Sequence, residues 1–102
     1  MSPKTGQSSK SRSRIPDLTD RGLTLLIDDI NEDLDRSVKL SLNMKRLVAL
    51  APFMSARQKL KCLDFINFTD DDGIEVESPQ LLRLLYSFME DEKVSELAAS
   101  RR

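Results

Sequence analysis

The sequence predicts an all-α fold, a small three-helix protein with a long first helix and a disordered basic N-terminal tail. Apolar residues recur at helical spacing in three separate runs, and capping signals precede the runs. The 102 residues include only three glycines and four prolines, too few for a sheet protein with many tight turns. With no tryptophan and five other aromatic residues, the core must consist mainly of leucine, isoleucine and methionine, which suits helices.

The first 17 residues are rich in serine and carry four basic residues against one acidic residue. They contain too little apolar surface to offset the entropy lost on ordering. We therefore expect residues 1–17 to be a flexible basic tail, followed by a single helical domain over residues 18–99. Ser11 and Ser13, which lie beside arginines, and Ser2 before Pro3 are candidate phosphorylation sites.

The first helix is expected to begin at Thr19 or Asp20, where a capping side chain precedes a periodic apolar run. The residues of this run are Leu23, Leu26, Ile27, Ile30, Leu34 and Val38. No glycine or proline follows before Pro52, so the pattern predicts one helix over about residues 19–51, with a break near residues 36–39 as the alternative. From Leu40 onward the apolar positions cover more of the circumference, which predicts deeper burial of the second half.

The second helix is predicted from a capping box. Pro52 interrupts the first helix, and Ser55 stands three residues before Gln58, a spacing at which each side chain bonds the other residue's backbone amide. This signal predicts a helix over about residues 55–68.

The third helix is predicted over about residues 79–98. A turn sequence at residues 69–73 separates it from the second helix. Ser78 is the expected cap, and Pro79 takes the first helical position, where its missing N–H is not needed.

Chemistry of the side chains argues against an enzyme. The chain has no histidine, and we find no phosphate-binding glycine loop or nucleophile motif. We expect Cys62, the single cysteine, to be buried and structural. A small secreted domain usually needs a disulfide, and no apolar run is long enough for a membrane span, so an intracellular location, nuclear or cytoplasmic, is expected. We predict no catalytic residues, no cofactor and no small-molecule substrate.

Three aspartates before Gly73 resemble part of a calcium-binding loop. With Gly73 at loop position six, Phe68 and Pro79 occupy the first and last ligand positions, where oxygen ligands are required. We therefore predict a solvated acidic turn and no metal site.

The predicted function is protein interaction, as an adaptor or dimerisation module in a regulatory or chromatin-associated assembly. The first and third helices have wider apolar faces than a small bundle needs, so we expect these faces to bind a protein partner or to form a homodimer. The candidate partner-binding residues are Leu40, Met44, Leu47, Leu50, Leu84, Leu85, Phe88 and Met89. The alternative is that these residues form the core.

The charges alternate in blocks along the chain. Residues 37–69 carry six basic against one acidic residue, and residues 70–92 carry one against eight. One hypothesis is DNA or RNA binding by the basic residues around Pro52. These residues are Lys45, Arg46, Arg57, Lys59 and Lys61. The competing hypothesis is that the basic block pairs with the acidic blocks, within one chain or across a dimer.

The sequence Leu50-Ala51-Pro52-Phe53-Met54, followed by Ser55-Ala56-Arg57-Gln58-Lys59-Leu60, resembles the BESS motif, a two-helix segment of insect chromatin proteins. The resemblance covers residues 40–68, and the segment between the proline and the second helix is about one turn shorter than in the motif. It implies self-association, partner binding and a nuclear setting.

Overall fold

The structure is a computed structural model that describes residues 18–101. The predicted tail and its candidate phosphorylation sites lie outside the described residues. Within residues 18–101 the fold is all-α, as predicted, with five α-helices. These are α1 Asp20–Asp35, α2 Leu42–Leu50, α3 Ala56–Phe65, α4 Pro79–Met89 and α5 Glu92–Ser100, with a 3₁₀ turn Ala51–Phe53 directly after α2. The predicted count of three helices is wrong, because two of the predicted helices are each divided.

The continuous first helix was the wrong choice, and the break lies where the alternative placed it. Thr19 caps α1 as predicted. At the other end Ser37 adopts a left-handed conformation with φ of 62°. Its N–H donates to the carbonyl of Leu34 and the N–H of Val38 donates to Asp33, the two bonds of a Schellman motif. Ser41 then caps α2 by accepting a hydrogen bond from the Met44 N–H at 3.1 Å.

The predicted third helix is divided at Asp91. Its carboxylate accepts hydrogen bonds from the N–H groups of Lys93 and Val94, at 3.0 and 3.4 Å, and so begins α5. Pro79 opens α4 as predicted, but Ser78 does not cap it. The Ser78 hydroxyl instead donates to the carbonyl of Lys39, which ties the loop after α1 to the start of α4.

The second helix begins as predicted and ends early. Both hydrogen bonds of the capping box are present, at 2.9 Å from the Ser55 N–H and 3.2 Å from the Gln58 N–H. The helix stops at Phe65, and Ile66 is extended. Asn31 on α1 fixes this end, since its side chain donates to the Phe65 carbonyl and accepts from the Asn67 N–H, both at 2.8 Å.

Helix α3 lies at the centre of the fold and contacts α1, α4 and α5, while α2 packs on α1 and α4. One buried apolar cluster joins the helices. Its members are Leu23, Ile27, Ile30, Met44, Leu47, Met54, Cys62, Ile66, Leu81, Leu85 and Phe88. The prediction of a buried Cys62 is confirmed. Burial raises the pKa of its thiol to about 12.

Candidate interaction surface

The outward side of α2 exposes large apolar side chains beside two cations. The helix buries Met44 and Leu47 completely, yet Leu42 is 63% exposed, Val48 41% and Phe53, in the following turn, 56%. A helix with one side in water normally places polar residues on that side. The structure therefore does not show the deep burial that the sequence predicted for this part of the chain. We call the outward residues the α2 face, and they are Leu42, Lys45, Arg46, Val48, Ala49 and Phe53.

The α2 face continues onto α4 across an open depression. Val48 lines it from the α2 side. The α4 side is lined by Gln80, Arg83, Leu84 and Ser87, which share one flank of that helix because they recur at a spacing of three or four residues. Leu84 is half-buried, so the depression has an apolar floor with polar side chains on its α4 side.

The charge of this surface is positive. Lys45 and Arg46 are exposed on α2, Arg83 is exposed across the depression, and the segment from Leu42 to Phe53 contains no acidic residue. Over residues 18–101 the ion pairs are Arg36–Glu32, Lys59–Asp91 and Arg101–Asp64, so the surface cations have no carboxylate partner among the described residues. Arg46 instead donates a 3.4 Å hydrogen bond to the side-chain oxygen of Asn43.

The five predicted nucleic-acid contacts are divided between two helices. Lys45 and Arg46 belong to the α2 face, whereas Arg57, Lys59 and Lys61 lie on α3. Lys61 donates to the Asp20 carbonyl at 3.2 Å. Of the other two cations on α3, one is paired with a carboxylate, so the five are not all unpaired among the described residues.

That paired cation is Lys59. Its ammonium lies 2.9 Å from an Asp91 carboxylate oxygen and 5.7 Å from the centre of the Phe88 ring. The hydrogen bond from Lys59 lowers the pKa of Asp91 below its ordinary value. This pair links the basic block to the acidic block within one chain, in the way that the charge-pairing hypothesis predicted.

The structure separates the eight predicted partner-binding residues. Met44, Leu47, Leu85 and Phe88 lie in the core, which was the alternative stated for them. Leu40 and Met89 are exposed, while Leu50 and Leu84 are half-buried. Sequence reasoning missed three exposed residues of the α2 face, namely Leu42, Val48 and Phe53. Their signal was the wide apolar circumference after Leu40, which we interpreted as burial.

Other kinds of site find little support in the part of the chain that the structure describes. Within residues 18–101 no group of three or more cysteine, aspartate or glutamate side chains is arranged to hold a metal ion. The Asp70 carboxylate accepts hydrogen bonds from the N–H groups of Asp72 and Ile74 and so shapes its own turn. Among the described helices, none is both long and apolar enough to cross a membrane.

No family model, no curated protein and no solved structure matches this chain. The resemblance to the BESS motif therefore gains no support from these comparisons.

Proposed function

We propose that this protein is a non-enzymatic adaptor that binds another protein through the α2 face and the adjoining flank of α4. The observation that carries the proposal is that α2 has large apolar residues on both sides, while only its inward side is covered by the rest of the described chain. Large exposed apolar side chains grouped on one side of a short helix are typical of sites of protein interaction.

The free energy that a partner would gain by covering these side chains supports the same function. Covering a half-exposed leucine, valine or phenylalanine yields about 1 to 2 kcal/mol, at roughly 25 cal/mol per Å² of apolar surface. Leu42, Val48 and Phe53 together therefore offer several kcal/mol to a partner that fits them. Leu42 and Phe53 contribute little to the fold, since more than half of each side chain stays in water, whereas Val48 is 41% exposed.

A homodimer formed through this surface is disfavoured by charge. A two-fold axis would place the same patch of both copies face to face, which brings Lys45 and Arg46 of one copy toward those of the other. Like charges at an interface oppose association. We therefore propose a different protein as the partner, and the predicted homodimer stays a prediction. The regulatory or chromatin-associated setting also stays a prediction.

A matched pair of double variants tests the proposal. The face variant combines Leu42→Ser with Phe53→Ser, and the control combines Leu25→Ser with Ile74→Ser, two residues that are similarly exposed outside the α2 face. We expect all three proteins to show the same helical circular dichroism. Quantitative affinity capture from the source cells should recover proteins with the wild type and the control that the face variant does not recover. Equal recovery by the face variant would contradict the proposal.

A second measurement tests the DNA- or RNA-binding hypothesis. Phosphate contacts make affinity fall steeply with salt, so binding to duplex DNA and to RNA is measured at two salt concentrations. We expect that the wild type shows no nucleic-acid binding that depends on Lys45 and Arg46. The Lys45→Glu, Arg46→Glu variant should therefore behave as the wild type does in this measurement. If such binding is found, and capture of proteins is not, nucleic-acid binding replaces the adaptor function.

A further inference from the structure

We infer that the partner of the α2 face is an acidic amphipathic helix of another protein. This inference rests on the proposed adaptor function and adds the chemistry of the partner. Three observations support the inference. The first is the length and shape of the surface, the second is the sign of its charge, and the third is the poor fit of a second copy of the chain.

The shape of the surface fits a helix of about three turns. Leu42 and Ala49 are seven residues apart and share one line along α2, and Phe53 follows them in the 3₁₀ turn. At about 1.5 Å per residue in α2 and about 2 Å per residue in the 3₁₀ turn, this line is about 18 Å long, the length of about 12 residues of α-helix. Beside it runs the depression between Val48 and Leu84. A partner helix would place apolar side chains at every third or fourth position along this line.

The charges determine the flanks of that partner helix. Lys45 and Arg46 lie midway along the apolar line, and Arg83 lies on the opposite side of the depression. The apolar centre is thus bordered by cations on both sides. Carboxylates on either side of the partner's apolar stripe would meet these cations, whereas lysines or arginines there would be repelled.

The acidic helix α1 of a second copy offers charge without the matching apolar stripe. The outward side of α1 is acidic, with exposed Asp28, Asp29 and Glu32, but Leu25 is its one strongly exposed large apolar residue among those described. Contact between α1 of one copy and α2 of the next is also heterologous, so it would propagate into open chains unless the rotation closed a ring.

Selection from a displayed library of random 15-residue peptides identifies the preferred partner chemistry without a known ligand. The wild type is the bait, and each enriched peptide is then synthesised and titrated against four proteins. These are the wild type, the Leu42→Ser, Phe53→Ser face variant, a charge variant Lys45→Glu with Arg46→Glu, and a charge control Arg21→Glu with Lys93→Glu. Arg21 and Lys93 are exposed in the first turns of α1 and α5, so the control makes the same change in net charge elsewhere.

We expect the enriched peptides to carry leucine or phenylalanine at helical spacing, flanked by aspartate and glutamate, and to gain helical circular dichroism on binding. The face variant should abolish binding. The charge variant should weaken it about tenfold or more, and the charge control should leave it within about twofold. Raising the salt concentration should also weaken it, because exposed charges are screened.

Three results would overturn the inference, and they can be distinguished from one another. Enriched peptides that depend on Leu42 and Phe53, but are neutral, basic or extended, would refute the acidic helix and leave the adaptor function standing. Enriched peptides that bind the face variant as well as the wild type, or no enrichment at all, would count against the adaptor function together with this inference. Binding of the wild type to nucleic acid through Lys45 and Arg46 would also overturn it.

Discussion

Helices α1 and α2 follow each other in sequence and pack in the same core, but their outward sides differ. On α1, Leu23 and Ile27 face the core while the outward side is acidic. On α2, Met44 and Leu47 face the same core, but the outward side is apolar and cationic. Water solvates the first outward side well and the second poorly. Two helices that pack in the same core therefore differ in the surface that they leave for a partner.

The largest effect should come from placing a negative charge on the inward side of α2. Leu47→Asp places a carboxylate where no solvent reaches, at a cost of about 4 kcal/mol or more, so we expect loss of folding. Leu42→Asp is the matched control and should change stability by about 0.5 kcal/mol or less, since Leu42 is exposed and begins α2, where negative charge is favoured. Circular dichroism during urea titration measures both. A folded Leu47→Asp protein would show that α2 is oriented differently.

The second effect concerns the contact that fixes the loop between the two helices. Ser78 is fully buried, and its hydroxyl donates to the Lys39 carbonyl. Ser78→Ala leaves that carbonyl without its partner, so we expect a loss of about 1 to 3 kcal/mol in the free energy of unfolding. Ser87→Ala is the control, because the Ser87 hydroxyl bonds a carbonyl of its own helix at an exposed position. Equal effects of the two changes would argue against a fastening role for Ser78.

Sequence alone predicted the helix starts better than the helix breaks. Thr19 and Ser55 are local signals, in which a side-chain oxygen accepts a hydrogen bond from an amide in the next turn. Pro79 is a local signal because it fits the first helical position, and all three residues lie where they were predicted. The end of α1 carries no such signal, because Ser37 occupies a left-handed position that glycine usually takes. The start of α5 had a usable signal in Asp91, a good capping residue, which the apolar pattern across it obscured.

The candidate surface was harder to predict than the fold. Periodicity identifies apolar positions, but on a helix that is apolar on both sides it cannot show which side faces the core. Met44 and Leu47 were thus predicted to meet a partner and are buried, whereas Leu42 and Phe53 were not singled out and are exposed. Only the packing of α2 against α1 and α4 decides between the two sides, and those contacts join distant parts of the sequence.

A smaller effect is expected at the boundary between the two helices. A left-handed conformation costs a residue other than glycine about 1 to 2 kcal/mol of folding free energy. Glycine avoids this cost but loses more conformational entropy on folding, so only part of the cost is recovered. Ser37→Gly should therefore raise the free energy of unfolding by about 0.5 to 1 kcal/mol. Ser37→Val should lower it, because a β-branched residue tolerates positive φ poorly. Thermal unfolding measures both, and destabilisation by glycine would count against the break after α1.

The smallest effect is expected from a comparison of two lysines. Lys59 has a carboxylate partner in the chain, and Lys45 has none among the described residues. Lys59 lowers the pKa of Asp91 below 3.8, so the ionised carboxylate favours the folded state. That contribution is present above the ordinary pKa and is lost as pH falls through the lower, folded-state pKa. Lys59→Met should therefore reduce the dependence of stability on pH below about 4.

Lys45→Met removes the same charge from the α2 face, where no described carboxylate lies within ion-pair distance. The acid dependence of its stability should match that of the wild type, because no described carboxylate loses a partner. Urea unfolding between neutral pH and about pH 3 measures both variants. Identical acid dependence in Lys59→Met and the wild type would show that Lys59 contributes nothing to the pKa of Asp91. A changed dependence in Lys45→Met would show that the α2 face already has an acidic partner within the chain, and would remove the charge argument for an external one.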